Sequence, residues 1–378
     1  MKIFLDCTFL RNTHTGIDVA FLSLAKQLLP LNPANNYVIL IDSRYNSDYL
    51  VSQLAGCENY ILKSIYSPLP LQVIYSSFFI PFYLKLKKFD VYHNPYFFGP
   101  LFNFISPKTK VVITVHDVYH RAIPHLRRKI INFIFGFFAD RAIKKADAVI
   151  AISLQTKEDI IKYLNIDERK IHLIHQALNS RFESKEATGS IEKFGLSGKR
   201  YILTVGSILP SKGISDLIYA FDKLVKKYSV NDVVLVFAGM YSGNYIEEIR
   251  VLIKNLGYSD DRIKLLGYVE DEDLKQLYIK SSLVAIPSHY EGFGLPILEA
   301  MNFDKPIIAR NASSLKEIVS DAGLLFNDIE ELAFLLNMLL EDQELQKQLI
   351  LKGTNRLKDF SWVSTAKKTL NLYLTKTD

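Results

Sequence analysis

Leu283-Val-Ala-Ile-Pro-Ser-His-Tyr-Glu-Gly-Phe-Gly-Leu-Pro-Ile-Leu-Glu299 places a strand, a turn and the start of a helix in one short stretch. Leu283–Ile286 is a brief apolar run of the kind buried in a parallel sheet. Pro287–Tyr290 leads out of it, and Gly292 and Gly294 bracket Phe293, so the backbone there can approach a ligand closely. Pro296 suits the first position of a helix, which the pattern carries through Met301. The stretch reads as one βα unit with a glycine loop at its joint.

The same unit recurs in both directions. Towards the N-terminus, strands are expected at Lys2–Leu5, Tyr37–Ile41, Val91–Asn94, Val111–Val115 and Ala148–Ala151, the last leading to Ser153 as the N-cap of a helix through Lys162. A second series comprises Tyr201–Val205, Val233–Ala238, Ile263–Leu266, Leu283–Ile286 and Pro306–Ala309. Amphipathic stretches alternate with these runs, which predicts an α/β protein of two doubly wound, Rossmann-like domains. The 378 residues also exceed one ordinary core. The seam is expected in the polar, glycine-bearing stretch Arg181–Arg200. This gives an N-terminal domain over 1–185, a C-terminal domain over 186–360, and a final helix over 361–378 that packs back toward the N-terminal domain, pinned by Trp362.

Bulk properties narrow the function. Two cysteines, Cys7 and Cys57, make no disulfide framework and no metal spacing, and suit a reducing, cytoplasmic compartment. Asp6 interrupts the first apolar run too early for a signal-peptide core, and no window is long enough for a transmembrane helix. Residues 1–180 carry 21 Lys and Arg against 13 Asp and Glu, a net of +8, and the remainder 25 against 27, a net of −2, so the basic excess sits in the first half. An anionic membrane surface is a better partner for that half than nucleic acid, whose binding motifs are missing.

The glycine loop has a definite chemistry. A helix starting at Pro296 directs free amides and the positive end of its dipole at Gly292–Leu295, an arrangement suited to a diphosphate. Phosphate would repel a carboxylate placed there, so Glu299 and Glu291 are better used as acceptors for neutral hydroxyls. On spacing alone, a helix-dipole partner and a solvated loop residue fit the two glutamates equally well.

Two glutamates eight positions apart around Gly-Phe-Gly-Leu-Pro, followed by Ala300-Met301, resemble the motif of retaining glycosyltransferases of family 4, the mannosyltransferase-like group 1 enzymes with the GT-B fold. Tyr201–Gly213 is similar to the first strand and loop of that family's C-terminal domain, and Arg262–Val269 to its nucleobase loop. The resemblance implies two domains facing across a cleft. It implies that Glu291 holds donor hexose hydroxyls and Glu299 the ribose, and that Gly292, Phe293, Gly294 and Leu295 hold diphosphate and sugar. Gly206, Ser207 and Lys212 would serve the diphosphate, and Tyr268 and Val269 the base. Many members carry an arginine where this chain has Ser207 or Ser211; Arg310 and Lys264 are candidates to replace it.

On the N-terminal side, Thr15-Gly16-Ile17 lacks the dinucleotide-binding glycine pattern, and in the resembling family a glycine at Gly16 approaches the donor phosphate or the acceptor. His116-Asp117 ends a buried strand, where open α/β sheets place functional groups, and His116 is expected to donate to a sugar hydroxyl or position the acceptor. Residues 121–145 combine seven Lys and Arg with one acidic residue and with Phe133, Phe135, Phe137 and Phe138, as an element resting on a bilayer would. A solvated face over a core helix reads the same way.

The function expected is transfer of a mannose-, rhamnose- or glucose-type hexosyl group from a nucleoside diphosphate sugar such as GDP-mannose. The acceptor is a glycan or lipid-linked saccharide in polysaccharide or glycolipid assembly. The resemblance implies retention and neither metal nor other cofactor, with Glu291, Lys212 and His116 at the chemistry. A GT-B epimerase or phosphorylase, or a non-catalytic membrane scaffold that binds sugar nucleotides, are the alternatives.

Overall fold

The computed structural model describes residues 1–10, 16–45, 47–66, 75–97, 99, 108–122, 129–241 and 243–375, with the backbone alone at 47, 49, 76 and 129–135. They form two compact units, Met1–Ala177 with Ser361–Asp378, and Leu178–Phe360.

In the first unit, β1 (Lys2–Cys7), β2 (Asn36–Asp42), β3 (Tyr60–Ile65), β4 (Val91–Asn94), β5 (Lys110–Val115), β6 (Ala148–Ala151) and β7 (Ile171–Leu173) pair in the order β3-β2-β1-β4-β5-β6-β7. All pairings are parallel. The central strands are buried on both faces, polar Asp6, His93 and Asn94 among their residues. Ser153 caps the helix Leu154–Leu164, its Oγ accepting from the Thr156 amide at 3.0 Å. The strands β3 and β7 were not anticipated: β3 exposes alternate residues at the sheet edge, and β7 has only three residues.

The C-terminal helix Trp362–Leu374 belongs to this first unit and lies against the helix Gly16–Leu28. Trp362 and Tyr373 are buried. The Tyr373 hydroxyl lies 2.5 Å from His93 Nδ1, and Lys110 Nζ donates to the carbonyls of Leu372 (2.6 Å) and Thr375 (2.7 Å). A cation at these carbonyls satisfies groups that a helix end leaves unpaired.

In the second unit, β8 (Arg200–Val205), β9 (Val233–Ala238), β10 (Ile263–Leu265), β11 (Leu283–Ile286), β12 (Ile307–Arg310) and β13 (Leu324–Phe326) pair in parallel in the order β10-β9-β8-β11-β12-β13. Each of the six β9 residues is buried. β13, again three residues long, was not anticipated. The chain enters this unit after Ala177, ahead of the boundary expected at 185, because Phe182 already packs into it. Asn302 Nδ2 donates to the Phe182 carbonyl at 2.7 Å, and the Phe182 ring meets Tyr278 and Phe303 edge-on.

Strand order reverses between β8 and β11 in the second sheet, and between β1 and β4 in the first. In open parallel sheets such reversals leave a crevice at the carboxyl ends of the two strands.

Candidate active site

The crevice of the second sheet gathers the loops after β8 and β11. Pro210–Lys212 forms one 3-10 turn after β8, and Gly213 ends it at φ +64°. A Cβ on Gly213 would lie 2.1 Å from the Pro287 carbonyl oxygen, so only glycine lets this turn press against the exit of β11. The His289 amide donates to the Ser211 carbonyl at 2.8 Å and locks the two loops together. That contact brings Lys212 Nζ to 2.6 Å from Glu291 Oε1.

Glu291 is held from three further directions. Ser288 Oγ donates to its carboxylate at 2.8 Å, and the Glu291 amide donates to Ser313 Oγ at 3.0 Å. Ser314 Oγ lies 2.9 Å from both the Glu291 and Phe293 carbonyls. Ser313 has φ +48°, a backbone state costly for a residue with a side chain. The three serines were not anticipated as site residues; a serine in a loop carries no sequence signal that separates it from solvent-facing ones.

The helix of the motif runs Leu295–Asn302, one residue earlier than Pro296 alone suggests. Gly294 precedes it at φ +101°. Pro296 has no N–H, so the amides at this positive helix end are those of Gly294 and Leu295. Gly292 and Phe293 lie in the loop between Glu291 and that end, with the Phe293 ring buried edge-on to Phe360 at 5.8 Å.

Glu299, one turn into the helix, is 5 % exposed, and its Oε2 accepts from the Tyr278 hydroxyl at 2.7 Å. Burial raises its carboxyl pKa above the ordinary value, partly countered by the Tyr278 bond. Tyr278 sits on the helix Asp271–Lys280 and was not anticipated, since an aromatic there reads simply as core.

Gly206, Gly239 and Gly267 stand side by side at the ends of β8, β9 and the β10 loop. The Gly206 amide donates to Ala238 O at 2.9 Å, and the Gly239 amide to Gly267 O at 2.8 Å. A Cβ at Gly239 would come within 2.0 Å of the Gly206 carbonyl, so these loops approach at backbone distance. Ser207 is half-buried beside Gly206, Tyr268 is half-exposed after Gly267, and Val269 is buried.

Neither cation proposed to replace the absent arginine is free to do so. Arg310 pairs with Asp216, donates from Nε to the Pro287 carbonyl at 2.9 Å, and lies over the Phe326 ring. Asp216 also meets His289 Nε2 at 3.3 Å, and that contact leads the causes that lower its carboxyl pKa. Lys264 lines a groove with Lys193, Arg250 and Lys254 on the β10 edge of the sheet, with β9 and β8 between it and β11. Lys212 and the helix end are thus the positive elements beside Glu291.

His116 lies in the first unit, buried at the end of β5. Its Nε2 bonds the Pro95 carbonyl at 2.8 Å and its Nδ1 the Gln176 side-chain amide at 3.0 Å. These partners fix a neutral ring with the proton on Nε2. Burial lowers the His116 pKa, the leading cause. The residue expected to donate to a sugar hydroxyl or to position the acceptor thus has protein partners on both ring nitrogens, and the ring walls a small apolar cavity with Phe21, Leu24 and Trp362. Asp117 Oδ1 accepts from the Tyr119 amide at 2.9 Å, and Gly16 is exposed at the first turn of its helix.

Of residues 121–145, positions 123–128 and the side chains of 129–135 lie outside the described residues, among them Phe133 and Phe135. Thr15 also lies outside them. Phe137 is half-exposed, Phe138 packs into the core, and Arg121 pairs with Asp140. Among the described residues no three His, Cys, Asp or Glu side chains cluster as metal ligands, and no helix is long and apolar enough to cross a membrane.

Two family models match the chain, Glycosyltransferase Family 4 over residues 16–181 and Glycosyl transferases group 1 over residues 187–356. The O-antigen chain mannosyltransferase B of Escherichia coli is 29 % identical over 295 residues, covering 77 % of this chain and 75 % of that one. The serotype-specific mannosyltransferase WbdA of Escherichia coli is 30 % identical over 275 residues, 68 % of this chain but 32 % of its own length, so this chain spans about a third of that relative. Among solved structures, Anabaena HepE in complex with UDP and glucose superposes with a TM-score of 0.73 at 19 % identity, covering 98 % of this chain and 99 % of that one.

Proposed function

We propose that this chain, which belongs to the group 1 glycosyltransferases of family 4 and has the GT-B fold, is a retaining, metal-independent hexosyltransferase. Its donor is a nucleoside diphosphate sugar of the mannose type, and its acceptor a glycan or lipid-linked saccharide in cell-surface polysaccharide assembly. The mannosyltransferase relatives support the sugar, and the UDP and glucose bound by HepE support the donor class. The observation that carries the reading is the pair Lys212–Glu291, set at the strand reversal beside a glycine-led helix end.

In this reading the acceptor hydroxyl oxygen forms a bond to the anomeric carbon while the bond from that carbon to the diphosphate oxygen breaks. The acceptor proton passes to the departing phosphate oxygen on the same face, which retains the configuration. Negative charge grows on the diphosphate during this step. Lys212 and the amides of Gly294 and Leu295 stabilise it where it develops, an effect commonly worth about 10²–10³ in rate per donor group. Without a donor, Glu291 is the partner of Lys212. When the lysine turns toward phosphate, Ser288 and Ser313 keep Glu291 in place, and its carboxylate becomes an acceptor for sugar hydroxyls. Glu299 accepts from the ribose.

Incubation with GDP-mannose, UDP-glucose or TDP-rhamnose and a pool of lipid-linked saccharides is expected to release nucleoside diphosphate, with an α-linked product from an α-linked donor. Release that persists unchanged in both Lys212→Ala and Glu291→Gln refutes this site, and an inverted product refutes retention.

A further inference from the structure

We infer that the groove along the outer edge of β10 binds a phosphorylated sugar, at a site apart from the crevice that holds Lys212 and Glu291. It lies wholly within the second unit and has a volume of about 670 Å³, in the range of small-ligand sites. The helix Tyr245–Asn255 forms one wall and the 3-10 turn Glu192–Phe194 another. Leu265 and the half-buried rings of Phe194 and Tyr258 give it apolar surface. The Tyr258 hydroxyl donates to Asp222 Oδ1 at 3.0 Å, which holds that ring in place.

Positive charge gathers here against the trend of the unit. Leu178–Phe360 carries 22 Lys and Arg against 26 Asp and Glu. The groove nevertheless collects Lys193, Arg250, Lys254 and Lys264, and Asp260 is the one carboxylate among the described residues that line it. Lys193 is paired with Asp273, and Arg250 with Glu247. Lys254 and Lys264 have no carboxylate partner among the described residues. The negative end of the helix accounts for Lys254 in its last turn, although Arg250 one turn earlier repels it. No helix end accounts for Lys264, which is half-buried on an edge strand. A half-buried ammonium without a counter-charge favours an anionic ligand.

Tyr241 separates the groove from the loop of Tyr268 and Val269. Its hydroxyl donates to the Leu265 carbonyl at 2.6 Å, and the Arg250 guanidinium lies 5.9 Å from its ring centre. A Cβ on Gly267 would stand 3.5 Å from the same ring. The chemistry of the groove names the ligand. Two lysines without partners suit a dianion, which a phosphomonoester is near neutral pH and a carboxylate or phosphodiester is not. The rings of Phe194 and Tyr258 beside them suit the carbon face of a sugar, as aromatic linings of small-ligand sites commonly do. The assignment does not depend on the transfer reaction.

Calorimetric titration of the full chain with mannose 6-phosphate, inorganic phosphate, mannose and glucuronic acid at low salt tests the inference. The wild type is expected to bind mannose 6-phosphate more tightly than inorganic phosphate, and to bind neither mannose nor glucuronic acid. Lys254→Gln with Lys264→Gln should weaken mannose 6-phosphate about tenfold or more at an unchanged melting temperature, since neither lysine has an ion pair to lose. Phe194→Ser should bring mannose 6-phosphate down to the affinity of inorganic phosphate and leave inorganic phosphate unaffected. Lys212→Ala, or an excess of UDP, should leave mannose 6-phosphate binding as it is. A wild type that binds no mannose 6-phosphate, or a double lysine variant that binds it equally well, overturns the inference. So does competition by UDP, which would place the ligand in the donor crevice, and so does tighter binding of a short single-stranded oligonucleotide, which would give the groove to a phosphodiester polyanion.

Discussion

Lys212 Nζ and Glu291 Oε1 lie 2.6 Å apart across 79 residues of chain, and the loop that holds them together is set by one glycine against one carbonyl. The pair is part-buried, with about a quarter of the lysine side chain exposed. Its worth lies in placing charge where a diphosphate would sit, since partly exposed ion pairs add little to stability.

Lys212→Ala and Glu291→Gln are each expected to lower kcat/KM by about 10²–10³, with melting temperatures nearly unchanged. The double variant should lose much less than the product of the two, because the residues are in contact and serve one bound donor. Steady-state rates for the four proteins measure this; full additivity would show that the two act independently.

Gly213→Ala is expected to cost about 2 kcal/mol or more and to remove activity as well. Both effects follow from a left-handed backbone and a Cβ that would meet the Pro287 carbonyl at 2.1 Å. Denaturant unfolding with a parallel rate assay checks it; Gly257→Ala is the control, at φ +84° with no atom near its Cβ.

Glu299 predicts an unusual pH slope. Its carboxyl pKa in the folded chain lies above 4.5. Between 4.5 and that raised value the folded state holds a proton that the unfolded chain has released, so this contribution to stability falls as pH rises. Glu299→Gln is therefore expected to raise the melting temperature at pH 7, by roughly 2–4 °C, while weakening donor binding. Scanning calorimetry across pH reads the first effect and titration with donor the second; a lower melting temperature at pH 7 would contradict the account.

His93 works in the opposite sense. Burial, the leading cause, lowers its pKa from 6.5 to about 3, while its ring lies 2.5 Å from the Tyr373 hydroxyl and 2.8 Å from Thr114 Oγ1. Between pH 6.5 and about 3 the unfolded chain takes up a proton that the folded ring refuses, so stability is lost as pH falls through that window. His93→Gln should flatten that limb by about one proton. Tyr373→Phe should cost about 1–3 kcal/mol by leaving a ring nitrogen unsatisfied at the C-terminal helix.

Much of this arrangement was legible in the sequence. Long apolar runs such as Val233–Ala238 announced the buried strands, and the glycine loop announced its own helix. β3 was hidden because an edge strand with Ile61 and Lys63 outward has no buried signature, and β7 and β13 because three residues carry too little periodicity. At the site, the motif supplied Glu291 and Glu299 but not the contacts that place them. Tyr278 resembles any core aromatic until its hydroxyl is seen on Glu299. Arg310 looked available as a cation because sequence cannot show that Asp216 already holds it. His116 was correctly placed at a strand end, yet its engagement by Pro95 and Gln176 depends on chain far from it.

The central claim, that Lys212 and the helix end beside Glu291 form a nucleoside diphosphate site, is tested most directly by calorimetric titration of GDP, UDP, ADP and TDP into the wild type and Lys212→Ala. At least one diphosphate is expected to bind the wild type, and the lysine variant to bind it about tenfold or more weakly, a loss of roughly 1.4 kcal/mol or more. Binding of equal strength in both proteins, or of no diphosphate to the wild type, would contradict it.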